Sequence, residues 1–220
     1  MKDKSDYDYY DYSDSGEDGE NGDAPNYAST NYWNHRYSKD VDNYDWYMNW
    51  EVFKPILDPY IKNKDSLLVF GCGNSTLSFD ISKDYFSQIT SIDISEVVIN
   101  QMEKQYQNNP KLLWKTMDCR KMSFHSNFFD VVIDKGTVDA LCCGSNADND
   151  LLLTAQEVYR VLKIGGFFLE ITFGTPSHRL VPLNAKKINW KLHPPILVTK
   201  NYPHNERSSY IYIYVYEKFK

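Results

Sequence analysis

The sequence lacks a long apolar run and contains few cysteines. No apolar stretch reaches the roughly 18 residues that a membrane-spanning helix needs. The chain starts with acidic and polar residues, which is not the pattern of a secretory signal peptide. The four cysteines include no C-x-x-C pair, and no histidines stand at zinc-ligand spacing, so we expect reduced thiols and no metal site. These absences predict a cytoplasmic protein that does not bind membranes.

Negative charge is concentrated at the start of the chain. Residues 1–23 hold nine acidic residues against Lys2 and Lys4, a balance of −7, whereas the whole chain carries −6. The remainder, −6 minus −7, is +1, and so no broad basic face indicates nucleic-acid binding. Residues 1–26 have few aliphatic side chains, and we expect a disordered tail there. It is either a lure for a basic partner or, as we favour, a solvated tail.

Aromatic residues are dense between this tail and residue 64. Trp46, Trp50 and Phe53 have the spacing of one helix face, and Pro55 and Pro59 limit that helix. We treat this part of the chain, residues 27–64, as an N-terminal segment that precedes the main domain.

Short apolar strands alternate with helices in the main domain, residues 65–220. The predicted strands are Leu67–Phe70, Ile89–Ile94, Leu112–Met117, Phe129–Ile133, Phe167–Phe173, Ile196–Lys200 and Tyr210–Glu217. The predicted helices are 75–85, 96–107 and 151–162. No helix separates the last two strands, which predicts a hairpin with one antiparallel strand. The fold class is therefore α/β and Rossmann-like, with a mixed seven-stranded sheet and helices on both faces.

A turn with two glycines follows the first predicted strand. Gly71 permits a sharp turn, Cys72 follows, and Gly73 lets the backbone approach a ligand closely. G-x-G alone is a common pattern, but Asp93 ends the second strand, where nucleotide-binding α/β folds place an acid that binds ribose hydroxyls. The alternative for Asp93 is a residue at a helix start. Its position after a second strand favours ribose binding.

Acidic residues also follow the third and fourth predicted strands. The carboxylate of Asp118 could accept a hydrogen bond from an adenine amine, and Asp134 begins a segment that ends at Asp139. Open α/β sheets bind ligands at these carboxyl ends. Thr76 replaces the third glycine of the dinucleotide fingerprint, and no P-loop motif is present. A nucleoside without a pyrophosphate therefore fits better, which points to S-adenosylmethionine (SAM).

A set of motifs resembles one known family. The motifs are YWNHRY at 32–37, DWY at 45–47, GCGNS at 71–75, MDCRKM at 117–122 and DKGTVDAL at 134–141. Together they resemble the methyltransferases that modify lysines of translation elongation factor 1-alpha. The resemblance implies the class I SAM-dependent methyltransferase fold and a protein substrate, elongation factor 1-alpha, with S-adenosylhomocysteine as the product.

The resemblance also implies a set of cofactor contacts. Trp33, Tyr37 and Trp46 would cover the cofactor from the N-terminal segment, although packing in the core is the alternative for aromatic residues. The other implied contacts are Gly71 at the methionine part, Asp93 and Ile94 at the ribose, Asp118 and Cys119 at the adenine, and Lys135 at the amino-acid end. Cys72 and Gly73 of the same turn are also predicted to bind the cofactor. Cys119 stands where the family usually has an aliphatic residue. The alternative for Lys135 is an ion pair with Asp134.

Methyl transfer to lysine requires a neutral amine. Apolar aromatic surroundings lower the pKa of an amine, and Asp134 and Asp139 are the candidate catalytic residues that could orient the amine or relay its proton. Two alternatives remain open from the sequence. One is a small-molecule methyltransferase on the same fold, and the other is a non-catalytic SAM-binding interaction module.

Overall fold

The computed structural model describes residues 25–183, 188–201 and 208–220. The tail predicted for residues 1–26 lies outside these ranges except for its last two positions. None of the helices in these ranges combines the length and the hydropathy that spanning a membrane requires.

Helices and strands alternate along most of the chain. The helices are α1 (Thr30–Lys39), α2 (Trp50–Ile61), α3 (Leu77–Asp84), α4 (Glu96–Gln105), α5 (Thr137–Cys142), α6 (Ala147–Val161) and α7 (Pro176–Leu183). The strands are β1 (Ser66–Phe70), β2 (Gln88–Asp93), β3 (Leu112–Thr116), β4 (Phe129–Lys135), β5 (Leu162–Thr172), β6 (Trp190–Leu192), β7 (Ile196–Asn201) and β8 (Ser208–Lys218).

One mixed sheet joins the eight strands of the described residues, in the order β3-β2-β1-β4-β5-β8-β6, with β7 also on β8. The first five strands pair in parallel. β8 runs antiparallel to β5, β6 and β7. The predicted α/β fold and the predicted hairpin are confirmed. The strand beyond the predicted seven is the short β6, which lies on the same edge of β8 as β7.

Different helices cover the two faces of the sheet, because alternate residues of a strand point to opposite faces. In β1, Leu67 and Val69 join the apolar cluster that α2, α3 and α4 form. Leu68 and Phe70 join the cluster that includes α6. Burial of a side chain such as Leu68, which is 0% exposed, contributes about 2 kcal/mol. The expectation of helices on both faces is confirmed.

The N-terminal segment differs in one respect from the prediction. Trp46 does not share a helix with Trp50 and Phe53, since α2 begins at Trp50. Tyr47 adopts a left-handed backbone conformation with φ 70°, which separates Trp46 from the helix. The helix contains both Pro55 and Pro59 and ends at Ile61. Burial of its apolar face stabilises it by more than the loss of the backbone hydrogen bonds that proline cannot make.

The carboxyl ends of the central strands lie side by side. In the register of the sheet, Phe70 of β1 is opposite Ile92 of β2 and Asp134 of β4. Asp93, the last residue of β2, is opposite Thr116 at the end of β3. The loops after these strands therefore meet at one edge, and they form the candidate site together with the N-terminal segment.

Candidate active site

The turn after β1 requires glycine at two positions. Gly71 and Gly73 have φ values of 57° and 51°, in the left-handed region that favours glycine. A Cβ on Gly71 would lie 1.8 Å from Oγ1 of Thr137, and a Cβ on Gly73 would lie 2.6 Å from the hydroxyl oxygen of Tyr37. Cys72 between them is buried. The turn thus brings its backbone against both α5 and the N-terminal segment.

Asp93 fixes this turn to the end of β2. One carboxylate oxygen accepts a hydrogen bond from the backbone N–H of Gly73 at 2.9 Å, and the other accepts one from Ser95 at 2.9 Å. Burial raises the pKa of Asp93, although the backbone N–H groups of Ser95, Gly73 and Ile94 oppose this rise. A carboxylate offers about four acceptor positions, so Asp93 can still accept from a ribose hydroxyl.

Aromatic rings of the N-terminal segment surround a guanidinium group. Trp33 and Tyr37 are stacked with ring centroids 5.6 Å apart, and the indole N–H of Trp33 donates to the carbonyl of Tyr27 at 2.7 Å. The guanidinium carbon of Arg36 lies 5.9 Å from the centroid of Trp33 and 5.3 Å from that of Trp46. These rings can therefore hold a cation by their faces.

Hydrogen bonds attach α1 to α4 beside Asp93. The hydroxyl of Ser95 donates to Oδ1 of Asn34 at 2.7 Å, and Nε2 of Gln101 donates to the carbonyl of Tyr37 at 2.8 Å. Burial and the charge of Asp93 raise the pKa of the Tyr37 hydroxyl well above its usual value. That hydroxyl stays protonated next to the glycine turn.

Lys135, at the end of β4, forms an ion pair with Asp45 and not with Asp134. Its Nζ lies 2.8 Å from the Asp45 carboxylate and donates to the carbonyl of Trp46 at 3.1 Å. Asp45 also accepts from the hydroxyl of Ser75. Burial lowers the pKa of Lys135, and Asp45 opposes this. Burial would raise the pKa of Asp45, but the Lys135 charge and the hydrogen bonds from Lys135, Ser75 and Thr76 together outweigh it and hold that pKa below its usual range.

The loop after β3 carries a tightly paired acid. The carboxylate of Asp118 accepts three hydrogen bonds from the guanidinium of Arg120, at 2.8, 3.0 and 3.1 Å, and one from its backbone N–H at 2.8 Å. Arg120 also donates to Asp150 of α6 at 2.9 Å. Cys119 is buried, with its sulfur 3.8 Å from the hydroxyl oxygen of Thr154. Asp118 therefore has only its remaining lone pairs for an adenine amine.

Asp134 lies buried beneath the first turn of α5. Its carboxylate accepts backbone hydrogen bonds from Thr137 at 2.9 Å and from Val138 at 3.3 Å. Burial, and then the charge of Asp139, raise the pKa of Asp134 to about 7. Near neutral pH this carboxyl therefore exists in both forms, as a group that accepts and releases protons must.

Asp139 binds side chains to which the sequence analysis assigned no role. Its carboxylate accepts hydrogen bonds from the hydroxyl of Tyr47, from Thr172 at 2.6 Å, from the backbone N–H of Phe173 at 3.1 Å and from Arg179. Asp45, the partner of Lys135, was also missed by the sequence analysis, although its place in the DWY motif beside Trp46 could have marked it. Arg179 lies outside all the motifs, and no sequence signal marked it.

The structure brings the predicted residues to two neighbouring places. One place lies over β1, β2 and β4 and contains the glycine turn, Asp93, Lys135 and the N-terminal aromatic residues, with the half-buried Ile94 next to Asp93 in the chain. Asp118 and Cys119 form the other place, after β3. These groups fit a nucleoside with a sulfonium and an amino-acid end: an acid for the ribose, rings for a cation and a lysine for a carboxylate. Across the described ranges, no three side chains of the metal-ligating kinds come together.

Comparison with known proteins identifies similar sequences. Residues 68–169 match a family described as a methyltransferase domain. The chain is 36% identical to EEF1A lysine methyltransferase 4 of Mus musculus, over 76% of this chain and 69% of that protein. It is 35% identical to the eEF1A lysine and N-terminal methyltransferase of Danio rerio, over 68% of this chain but only 22% of that longer protein.

Solved structures resemble the fold at low sequence identity. A SAM-dependent methyltransferase from Methanosarcina mazei has a TM-score of 0.58 and 16% identity, covering 75% of this chain and 97% of that one. A structure solved for the conversion of a disulfide bond into a thioacetal group during echinomycin biosynthesis has a TM-score of 0.69 and 11% identity, covering 87% and 93%. This likeness concerns the fold alone.

Proposed function

Since this chain belongs to the methyltransferase family that includes EEF1A lysine methyltransferase 4, we propose that it methylates a lysine side chain of elongation factor 1-alpha. The chain is a SAM-dependent methyltransferase of Rossmann-like fold. The observation that carries the choice of substrate is the 36% identity to a relative named for this reaction, over 69% of that relative. A cytoplasmic location is part of the proposal, because all four cysteines are free, as in reducing compartments.

The cofactor contacts follow the strand ends. SAM supplies a methyl group that its sulfonium already activates, so the protein mainly positions and desolvates the reactants. In our proposal Asp93 and Ile94 hold the ribose and Asp118 and Cys119 face the adenine. The turn residues Gly71, Cys72 and Gly73 lie along the methionine part.

The amino-acid end and the outer face of the cofactor are assigned to Lys135 and to the N-terminal segment. Lys135 would bind the cofactor carboxylate, and its present partner, Asp45, would bind the cofactor ammonium. Trp33, Tyr37 and Trp46 would cover the site and exclude water. Two observations support this role: Trp33 stacks on Tyr37, and the rings of Trp33 and Trp46 already lie beside a cation, the guanidinium of Arg36.

The acceptor amine must lose a proton before it attacks. We assign this proton to the Asp134 carboxylate: the N–H bond of the ammonium breaks, its electron pair stays on nitrogen, and the proton moves to an Asp134 oxygen. The pKa of about 7 at Asp134 suits this role. Asp139 accepts hydrogen bonds from four donors, and we propose that it orients the groups around the acceptor amine. We call this region, around Asp134 and Asp139, the acceptor side of the site.

Labelled SAM tests the proposed substrate. The enzyme is incubated with tritiated SAM and either purified elongation factor 1-alpha or the low-mass fraction of a cell extract. We expect label on one or more lysines of the factor, located by mass spectrometry of its peptides. Label on a metabolite but on no protein would identify a small-molecule methyltransferase. SAM binding without label on any acceptor would identify a non-catalytic module.

A matched pair of variants ties the label to the site. Asp93→Asn changes the carboxylate that holds the glycine turn, and we expect it to lower labelling strongly. Asp130→Asn changes a carboxylate that accepts from the backbone N–H of Ser66 at 3.0 Å, at the opposite end of the strands. This control should label the factor as the unaltered enzyme does.

A further inference from the structure

Arg179 lies at the centre of a buried polar cluster beside the candidate site. The residue is 4% exposed, and its guanidinium donates to Asp139 and, at 3.2 Å, to the hydroxyl of Thr172. The Glu170 carboxylate lies 3.4 Å from its Nε. A Cβ on Gly174 would lie 2.3 Å from the guanidinium carbon, so the chain uses glycine where this group passes. The fold therefore makes specific room for a buried cation.

Stability alone does not account for this cluster. Glu170 is 0% exposed, and its Oε1 has no hydrogen-bond partner. Burial and the charge of Asp134 raise the pKa of Glu170 well above its usual value. Desolvation of the Arg179 and Asp139 charges costs free energy that their attraction often does not recover, and apolar residues of similar size stabilise a core at least as well. The contacts of Arg179 fix directions: Nη2 donates to Asp139, Nη1 donates to the sulfur of Cys142 at 3.1 Å, and Asp139 in turn accepts from Tyr47 of the N-terminal segment.

Tyr47 is the residue that this cluster holds. Its backbone has φ 70°, which is rare for a bulky side chain, and such strain persists only where the surroundings hold it. The hydroxyl donates to Asp139, and the ring meets Phe173 edge to face with centroids 4.5 Å apart. A Cβ on Gly136 would lie 2.9 Å from this hydroxyl. Tyr47 therefore covers the backbone between Lys135 and α5.

We propose that Arg179 is a positioning residue for methyl transfer, which acts through Asp139 to hold Tyr47 across the acceptor side of the site. The inference rests on the proposed function, which assigns the acceptor amine to Asp134 and Asp139, and Tyr47 contacts Asp139 directly. A ring held in one orientation keeps the amine in line with the methyl group and away from water.

Conservative variants test this line of contacts. Tyr47→Phe removes only the hydroxyl, and Arg179→Lys keeps the charge but loses the planar guanidinium group with its several N–H donors. We expect each to lower kcat about tenfold and to change the KM for SAM less than about twofold, as loss of a charge-assisted hydrogen bond implies. The double variant should be no slower than either single variant, since both act through Asp139. A core role alone would lower Tm with additive effects and leave kcat unchanged, which would overturn the proposal.

The control removes a tyrosine–aspartate hydrogen bond elsewhere in the domain. The hydroxyl of Tyr85 donates to Asp58, on the side of the domain formed by α2 and α3. Tyr85→Phe should leave kcat within about twofold of the unaltered enzyme, because it is remote from the reacting groups. A tenfold fall in this control would mean that tyrosine hydroxyls act through general stability, and would overturn the proposal.

A measurement without an acceptor separates this inference from the proposed function. Hydrogen exchange of the backbone amides of residues 44–48 is followed in the full chain with S-adenosylhomocysteine present. We expect faster exchange in both Tyr47→Phe and Arg179→Lys than in Tyr85→Phe. If the unaltered enzyme labels no elongation factor but exchange accelerates as expected, the substrate assignment fails and the positioning stands. Unchanged exchange would overturn the positioning whatever the substrate is.

Discussion

The carboxylate of Asp93 accepts a hydrogen bond from the backbone N–H of Gly73 at 2.9 Å, although 20 residues separate the two. A single buried side chain thereby fixes the end of β2 to the turn after β1. The same carboxylate is the group to which we assign the ribose. Loop geometry and cofactor affinity should therefore change together when it is altered.

Asp93→Asn should raise the Kd for SAM by roughly tenfold or more, because the amide keeps one acceptor oxygen and loses the charge. Isothermal titration calorimetry measures this directly. Asp130→Asn, at the opposite end of the strands, should bind SAM with unchanged affinity. Equal affinities for Asp93→Asn and the unaltered chain would contradict the ribose assignment.

Gly71→Ala should destabilise the fold more than Gly165→Ala does. Both glycines have positive φ, 57° and 76°, so both variants incur about 1 kcal/mol of backbone strain. Only at Gly71 would the new Cβ meet the side chain of Thr137, at 1.8 Å, whereas nothing lies within 4 Å at Gly165. The additional loss should be about 1–3 kcal/mol, as in overpacked cores. Urea denaturation of the two variants measures it, and equal losses would show that the steric argument is wrong.

Trp33→Ala should weaken SAM binding at least as much as it lowers stability. Trp33 lies in the aromatic group assigned to cover the cofactor, stacked on Tyr37. Trp190→Ala is the matched control, since Trp190 is also half-buried but contacts Tyr159, at a centroid distance of 4.9 Å, on the far side of the sheet. Calorimetry and denaturation are run on both. An unchanged Kd in Trp33→Ala would refute the cover, because core packing would then be the only role of Trp33.

Asp134→Asn should change how stability depends on pH. The folded pKa of about 7 exceeds the unfolded value of about 3.9, so between these values the folded state binds the extra proton. The free energy of unfolding contributed by this group therefore falls as pH rises through that window. The free energy of unfolding of the variant, relative to that of the unaltered chain, should therefore rise from pH 5 to pH 8. The rise is up to a few kcal/mol, since each pKa unit corresponds to about 1.4 kcal/mol.

Denaturation at pH 5 and pH 8 measures this gain. Burial would raise the pKa of Asp130, but Lys163 and Ser66 outweigh it and lower that pKa. Asp130→Asn should therefore differ from the unaltered chain by the same amount at both pH values. A difference for Asp134→Asn that does not change with pH would contradict the buried, proton-exchanging carboxyl.

Most of the strands could be predicted from local sequence patterns. Apolar runs bounded by turns predicted the strands, and the period-two alternation of Tyr210–Tyr216 predicted β8. Trp190–Leu192 was missed because three residues are too few to display a period. Trp46 was placed on a helix because its spacing fits one, and spacing cannot reveal that Tyr47 interrupts the helix through contacts made far away in the sequence.

In the candidate site, too, the sequence could predict positions at strand ends but not contacts between residues far apart in the chain. The positions of the glycine turn and Asp93 were predictable because each lies at the carboxyl end of a recognisable strand. The pair Lys135–Asp45 joins residues 90 positions apart, and the pair Arg179–Asp139 joins residues 40 positions apart. Charged residues are frequent along the chain, and only the folded backbone decides which of them meet. Lys135 was therefore matched with its neighbour Asp134 as one alternative, whereas the structure pairs it with the N-terminal segment.

The location of S-adenosylhomocysteine in a crystal of the full chain tests the central assignment most directly. We predict the ribose hydroxyls on Asp93, the adenine beside Cys119, and the sulfur between Gly71 and the acceptor side at Asp134, under the ring of Trp33. A nucleoside bound away from the ends of β1 and β2, or a titration that gives neither heat nor a rise in Tm, would contradict the account.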